Sequence, residues 1–149
     1  MSHVASVEVV INDLACLKKA CETLGVTLVE GQKTFKWYGR FLADSDVGRA
    51  TAKEFNAKDF GKCEHAIKVP GCSYEVGVVK NPTGKGYRLI YDQFGSGGEG
   101  IAKKLGGEKL TKLTTEYGAE VATKQLRRKG YTIGRRYLNN GQIKLTATK

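Results

Sequence analysis

Three residues near the middle of the chain have side chains that could do chemistry together. Cys63, His65 and Cys72 follow the spacing C-x-H-x6-C, and thiolate with imidazole is a ligand set that suits zinc. The pattern supplies only three donors, and no second pair of standard spacing follows. Cys63 and His65 could also form a nucleophile with its base. Because the donors are too few for a zinc site and nothing marks an oxyanion hole, we predict neither a metal site nor a catalytic residue here. We also predict no cofactor and lean against an enzyme.

The glycine-rich segment GSGGEG at residues 95–100 could hold phosphate. Backbone N–H groups and a following helix dipole both favour an anion. Gly95, Gly97 and Gly100 fit G-x-G-x-x-G, but the Walker spacing is missing and the dinucleotide pattern requires a parallel βαβ unit. Since the neighbouring segments predict antiparallel strands, we interpret residues 95–100 as a flexible connector.

Most of the net charge of +10 lies in the last third of the chain. Residues 103–149 contain twelve Lys or Arg and three acids, whereas residues 1–102 contain thirteen bases and twelve acids. Such an asymmetry favours an anionic partner. We expect a non-enzymatic protein that binds nucleic acid or another polyanion. The alternatives are an adaptor or inhibitor on an acidic protein surface, and a nucleotide- or metal-dependent activity at the glycine-rich or Cys/His segments.

A helical pattern that ends near Lys129 accounts for part of this charge. Glu120 precedes Lys124 by four residues, a spacing that stabilises a helix by a few tenths of a kcal/mol. Cations in the last turns complement the helix dipole. Leu110, Leu113, Tyr117 and Val121 form an apolar stripe on one face of this helix. The opposite face is predicted to carry Lys109, Lys112, Glu116, Thr123 and Arg127.

The last nineteen residues, YTIGRRYLNNGQIKLTATK, predict a β-hairpin. Asn140-Gly141 between strand residues is typical of a two-residue type I′ turn. This register directs Arg136 and Leu145 to the core and gathers cations and tyrosines on the open face, which suits single-stranded nucleic acid. A three-residue loop would reverse the faces and bury Tyr137 against Ile143. The predicted nucleic-acid-binding residues are Arg127, Arg128, Lys129, Arg135, Arg136, Tyr137 and Lys144.

The rest of the chain predicts one α+β domain over residues 1–149. Strands are expected at 4–11, 26–30, 34–42, 64–69, 73–80 and 86–94, and helices after Asn12-Asp13 and over 109–129. Residues 43–62 read as an irregular insert. We expect a mainly antiparallel sheet of five to six strands with both helices on one face. The predicted core includes Val7, Val9 and Ile11.

Length and composition fit a protein of the cytoplasm. A chain of 149 residues can bury one self-sufficient core. It has neither a run of about 18 apolar residues nor a signal-type start, which predicts no membrane segment. Without a signal sequence, the four cysteines are expected to be reduced. The oligomeric state stays open.

Three stretches of the chain resemble one known family. They are MSHVASVEVVINDLACLKKACETLGV, EHAIKVPGCSYEVGVV and LTTEYGAEVATKQLRRKGYTIGRRYLNNGQIKLTAT. In this order they resemble small conserved proteins of unknown function from cyanobacteria, algal plastids and some bacteriophages, namely domain of unknown function number 1257, also called plastid conserved open reading frame thirty-five. Residues 43–62 and GSGGEGIAKKLGGEK depart from the family pattern, which favours a specialised, bacteriophage member. The resemblance supports the fold and implies no catalytic residue.

Overall fold

Seven strands and three helices are present in the described residues, 4–37, 61–93 and 95–149 of this computed structural model. The α+β prediction is confirmed. Residues 38–42 of the predicted third strand and residues 43–60 of the predicted insert lie outside the described residues. The strands are β1 (Val4–Ile11), β2 (Thr27–Glu30), β3 (His65–Lys68), β4 (Glu75–Lys80), β5 (Tyr87–Asp92), β6 (Thr132–Tyr137) and β7 (Ile143–Thr148). The helices are α1 (Leu14–Thr23), α2 (Gly95–Leu105) and α3 (Thr111–Arg128).

Five strands form one antiparallel sheet in the order β1-β5-β4-β3-β2. The centre is the predicted meander, in which Ala66 pairs with Gly77 and Gly77 with Ile90. β1 and β2 are consecutive along the chain but lie at opposite edges. Helix α1 therefore crosses the sheet between them, and β6 and β7 form a separate hairpin.

One face of the sheet carries the main core. All three helices pack there, because α1, α2 and α3 contribute to the same cluster of buried residues as the sheet. The register of β1 against β5 shifts between Val7 and Ile11. Val7 and Ile11 are buried, whereas Val9 is 39% exposed. The prediction that Val9 lies in the core was wrong because this irregularity breaks the alternation of the strand.

A smaller cluster covers the second face. It consists of Phe35, Cys63, Ala66 and Ile90, and a Cβ added to Gly77 would lie 2.5 Å from the Phe35 ring. The absence of a side chain at Gly77 lets the ring pack directly against the strand. Within the described part of the predicted strand at 34–42, a single bridge joins Thr34 to Lys62, so residues 34–37 are not a regular strand. Hydrogen bonds from the Phe35 N–H to the Gly61 carbonyl and from the Glu75 N–H to the Lys36 carbonyl, both at 2.9 Å, hold this segment in place.

The glycine-rich segment is helical, and its prediction as a flexible connector was wrong. It forms the first half of α2. A Cβ on Gly97 would lie 2.7 Å from the Tyr74 ring, and one on Gly100 would lie 2.6 Å from the Cys72 sulfur. A Cβ on Gly98 would overlap the backbone of Gln93. These glycines permit close packing of α2 on the loop between β3 and β4 and on Gln93, which compensates for their poor helix propensity.

Helix α3 anchors the start of α1. The Tyr117 hydroxyl accepts hydrogen bonds from the backbone N–H groups of Asn12 and Asp13, at 2.9 and 3.1 Å. Asp13 caps α1 by accepting from the Cys16 N–H at 3.1 Å. Its second oxygen pairs with the Lys124 ammonium at 2.6 Å.

None of the three described helices combines the length and the apolar composition that crossing a bilayer requires.

The capping carboxylate gives stability a defined pH dependence. The Lys124 hydrogen bond, followed by the Cys16 N–H, lowers the pKa of Asp13 to about 2. A pKa below the unfolded value contributes stability above about pH 4 that is lost as the pH falls toward 2. Asp13→Asn keeps the cap and removes the charge. We expect it to cost about 1 kcal/mol at pH 7, since the pair is partly exposed, and less than half of that at pH 2, where the carboxyl is half protonated.

Urea unfolding of both proteins at the two pH values measures this difference. A gap between wild type and Asp13→Asn that is the same at pH 2 and pH 7 would contradict the assignment, because the ion pair would then contribute nothing.

Candidate functional site

The structure gives the Cys63 and His65 side chains separate contacts. The Cys63 thiol donates to the Gln32 carbonyl at 3.1 Å, and burial raises the pKa of that thiol to about 11. The His65 Nδ1 atom accepts from the Gly31 N–H at 2.9 Å. A protonated thiol is a poor nucleophile, so this pair does not support catalysis. Over residues 4–37, 61–93 and 95–149, no group of three or more His, Cys, Asp or Glu could hold a metal. All four cysteines are free.

Arg135 lies against α3 between two carboxylates. Its guanidinium contacts the Glu116 carboxylate at 3.0 Å and the Glu120 carboxylate at 2.9 Å. The Glu116 side chain is only 6% exposed. Two predictions were wrong here: Glu116 and Thr123 are buried rather than outward-facing, and Glu120 binds Arg135 instead of Lys124. The physical reason is that the hairpin packs on this side of α3 and excludes water from it.

The hairpin register explains why Arg135 faces the helix. The Leu138 N–H donates to the Gln142 carbonyl at 2.8 Å, and the Gly141 N–H donates to the Leu138 carbonyl at 3.1 Å. Gly141 has a φ of 82°. This is a three-residue loop that ends in a left-handed glycine, so the predicted two-residue type I′ turn was wrong. The faces are those of the three-residue alternative, but Tyr137 is not buried as that alternative implied.

The position of Tyr137 follows from the same register. It pairs with Ile143, on the side of the hairpin that carries Arg135. Its hydroxyl accepts from the Arg135 guanidinium at 3.4 Å, although the residue as a whole is 55% exposed. The predicted open face of alternating cations and tyrosines is therefore absent from the hairpin.

The outward face of the hairpin carries two cations side by side. Arg136 pairs directly with Lys144 across the strands, and both are exposed. Like charges in this position repel each other and destabilise the sheet. The chain has no acidic residue from 130 to 149. The remaining residues on this face are Thr132, Gly134, Thr146 and Thr148, so it has neither a carboxylate nor an aromatic ring.

Three further predicted residues lie at the end of α3. Arg127, Arg128 and Lys129 are exposed, and Lys129 is the C-cap that precedes Gly130. Cations at this end complement the helix dipole. We define the basic surface as the five exposed cations among the predicted residues: Arg127, Arg128, Lys129, Arg136 and Lys144.

Sequence reasoning missed a groove between α1 and α3. Its two adjoining parts have volumes of about 420 and 360 Å³, and both are lined by Lys19, Glu120, Thr123 and Arg127. The signal was a second stripe on α3, since residues 116, 120, 123 and 127 recur at helical spacing. Two carboxylates four residues apart destabilise a helix unless a cation lies between them, which predicts an ion pair on this side.

Known families, curated proteins and solved structures provide no match to this chain. The resemblance to domain of unknown function number 1257, the bacteriophage source and the cytoplasmic location therefore stay predictions. Function has to be inferred from the arrangement of this chain's own residues.

Proposed function

We propose that this is a non-enzymatic binding protein whose basic surface engages nucleic acid or another polyanion. The observation that carries the proposal is the Arg136–Lys144 pair on the outward face of the hairpin. Two exposed cations held next to each other repel in the free protein. A phosphate group bound between them would reverse the sign of that interaction, since charge-assisted hydrogen bonds to phosphate are strong.

Phosphate contacts, rather than base stacking, supply the affinity in this proposal. The outward face has no aromatic side chain, and Tyr137 lies on the helix side of the hairpin. Contacts of this kind carry no sequence information. We therefore expect comparable binding to sequences of different composition, with strong dependence on salt. Arg127, Arg128 and Lys129 extend the cationic surface at the end of α3.

Salt dependence tests the proposal. The affinity for a labelled duplex should fall linearly with log salt concentration, because each neutralised phosphate releases counterions. Changing Arg136 and Lys144 to Ala together should reduce the slope by about 2 and weaken binding at low salt by about tenfold or more. The matched control is Lys68→Ala with Lys85→Ala, which removes the same charge from exposed positions elsewhere. Fluorescence anisotropy over a series of salt concentrations measures both slopes.

Equal slopes for the two double variants would contradict the assigned surface. Failure of the wild-type protein to bind at low salt would contradict the function itself. Tyr137→Ala separates the two modes of binding, since loss of a stacked base costs about 1–3 kcal/mol. We expect Tyr137→Ala to change affinity less than twofold.

An acidic protein segment is the second candidate partner. β6 and β7 form a two-stranded sheet, and neither has a further strand partner among the described residues. An extended acidic segment could add a strand to either edge next to Arg136 and Lys144. A pull-down after nuclease treatment tests this candidate: a stoichiometric acidic protein, lost when Arg136 and Lys144 are changed to Glu, would support it over nucleic acid.

A further inference from the structure

The groove between α1 and α3 is a second site, separate from the outward face of the hairpin. We infer that it binds a small organic oxyanion, such as a phosphate monoester or carboxylate, with an apolar or aromatic body. Its walls come from Ala15, Cys16 and Lys19 of α1 and from the last turns of α3. Its second part reaches Ile133 and Arg135 of β6. The site thus lies where three elements meet.

Thr123 is the first observation that points to a ligand. The residue is 6% exposed, and its buried hydroxyl makes no hydrogen bond within the described part of the chain. A helical threonine normally bonds to a carbonyl one turn earlier, and a buried hydroxyl without a partner costs about 1–3 kcal/mol. Thr123 lines both parts of the groove. Rotation about χ1, which has two accessible rotamers in helical threonine, turns the hydroxyl toward a bound group.

The charges around Thr123 favour an anion. Glu120 also lines the groove, but Arg135 holds its carboxylate at 2.9 Å. Lys124 is similarly held by Asp13. The remaining charged residues of the lining are Glu22 and the exposed cations Lys19, Arg127 and Arg128. Lys19 and Arg127 line both parts, so the anionic group belongs between them, above Thr123.

The larger part of the groove suits the body of the ligand. A volume of about 420 Å³ lies in the range of small-molecule sites. Ala15 and Cys16 form an apolar wall. The Cys16 thiol belongs to it because burial raises the pKa of that thiol and keeps it neutral. The alkyl stems of Lys19 and Arg128 add further apolar surface. A body of one or two aromatic rings fits this combination.

Anilinonaphthalene sulfonate is a suitable probe, since it joins a sulfonate to an aromatic body. Its fluorescence should rise saturably with the folded wild-type protein, at one site per chain. Lys19→Ala with Arg127→Ala should weaken binding at least tenfold. Thr123→Val should weaken it threefold or more while raising the melting temperature, because the unpaired hydroxyl is removed. Thr123→Ser keeps the hydroxyl and should bind as the wild type does.

Opposite changes in stability and binding are the signature of a ligand-binding hydroxyl. A purely structural Thr123 would not give them. Displacement by para-nitrophenyl phosphate or by para-nitrobenzoate then identifies the anionic group. Displacement by neither compound, non-saturable fluorescence, or equal binding by the Val and Ser variants would overturn the inference.

The groove shares Arg127 and Arg128 with the basic surface, but Arg136, Lys144 and Thr123 each belong to only one of the two sites. Arg136→Ala with Lys144→Ala leaves the groove intact and should change probe binding less than twofold. Conversely, Thr123→Val leaves the hairpin face intact and should not change the salt slope for nucleic acid. Failure of one proposal therefore leaves the other standing.

Discussion

Arg135→Met is expected to lower the free energy of unfolding by about 2–3 kcal/mol. The change leaves the Glu116 carboxylate, 6% exposed, without its cation, and an uncompensated buried charge costs about 3–5 kcal/mol when burial is complete. Arg135 itself is 23% exposed, which places the expected value below that range. Urea unfolding followed by circular dichroism at pH 7 measures the loss.

The neighbouring residue provides the control. Arg136→Met removes the same side chain from the exposed face and should change stability by less than about 0.5 kcal/mol. Glu116→Gln combined with Arg135→Met removes the buried charge as well and should recover at least about 1 kcal/mol. Equal effects of Arg135→Met and Arg136→Met would contradict the ion pair.

Two glycine-to-alanine substitutions in helices should have opposite effects on the free energy of unfolding. Gly98→Ala places a Cβ where the Gln93 backbone lies, and backbone cannot move aside as a side chain can. We expect a net loss of about 2 kcal/mol after the gain in helix propensity. Gly118→Ala in α3 meets nothing within 4 Å and should gain about 0.5–1 kcal/mol. Thermal unfolding of the two variants provides the comparison.

The pair of variants also tests the helical assignment of residues 95–105. In a flexible connector Gly98→Ala would be neutral, and in a helix without close neighbours it would stabilise like Gly118→Ala. Either outcome would contradict the packing of α2 on the loop before it.

Local pattern predicted the elements whose signals lie within a few residues. Helix α3 follows from the apolar spacing of Leu113, Tyr117 and Val121, which are all buried or partly buried in the main core. The Asp13 cap follows from its position before α1. Helix α2 could not be predicted in this way, because its glycines are favourable only when Cys72, Tyr74 and Gln93 are already in place. That information is tertiary, and composition alone indicates a loop.

The candidate site was predicted in part, for a related reason. Asn140-Gly141 is compatible with a two-residue turn and with a three-residue loop, and one residue of register decides which face each side chain joins. In the observed three-residue loop, Arg135 and Tyr137 lie on the side of the hairpin that faces α3, and Arg136 lies on the outward face. Thr123 gave no sequence signal of its own. Only the approach of α1 to α3 makes its hydroxyl buried and the groove visible.

The contacts between α1 and α3 also constrain the order of folding. Tyr117 bonds to Asn12 across 105 residues, and Lys124 pairs with Asp13 across 111. Such distant pairings require a large loop to close before any of their contacts can form, and this slows folding. Proteins that depend on such contacts typically fold in milliseconds to seconds. During synthesis, the N-terminal helix can pack on the sheet but lacks its contacts with α3 until residues 117–124 emerge. A ribosome-bound chain that stops before Tyr117 should therefore be cut by protease at α1 more readily than the full chain, even when its sheet is complete.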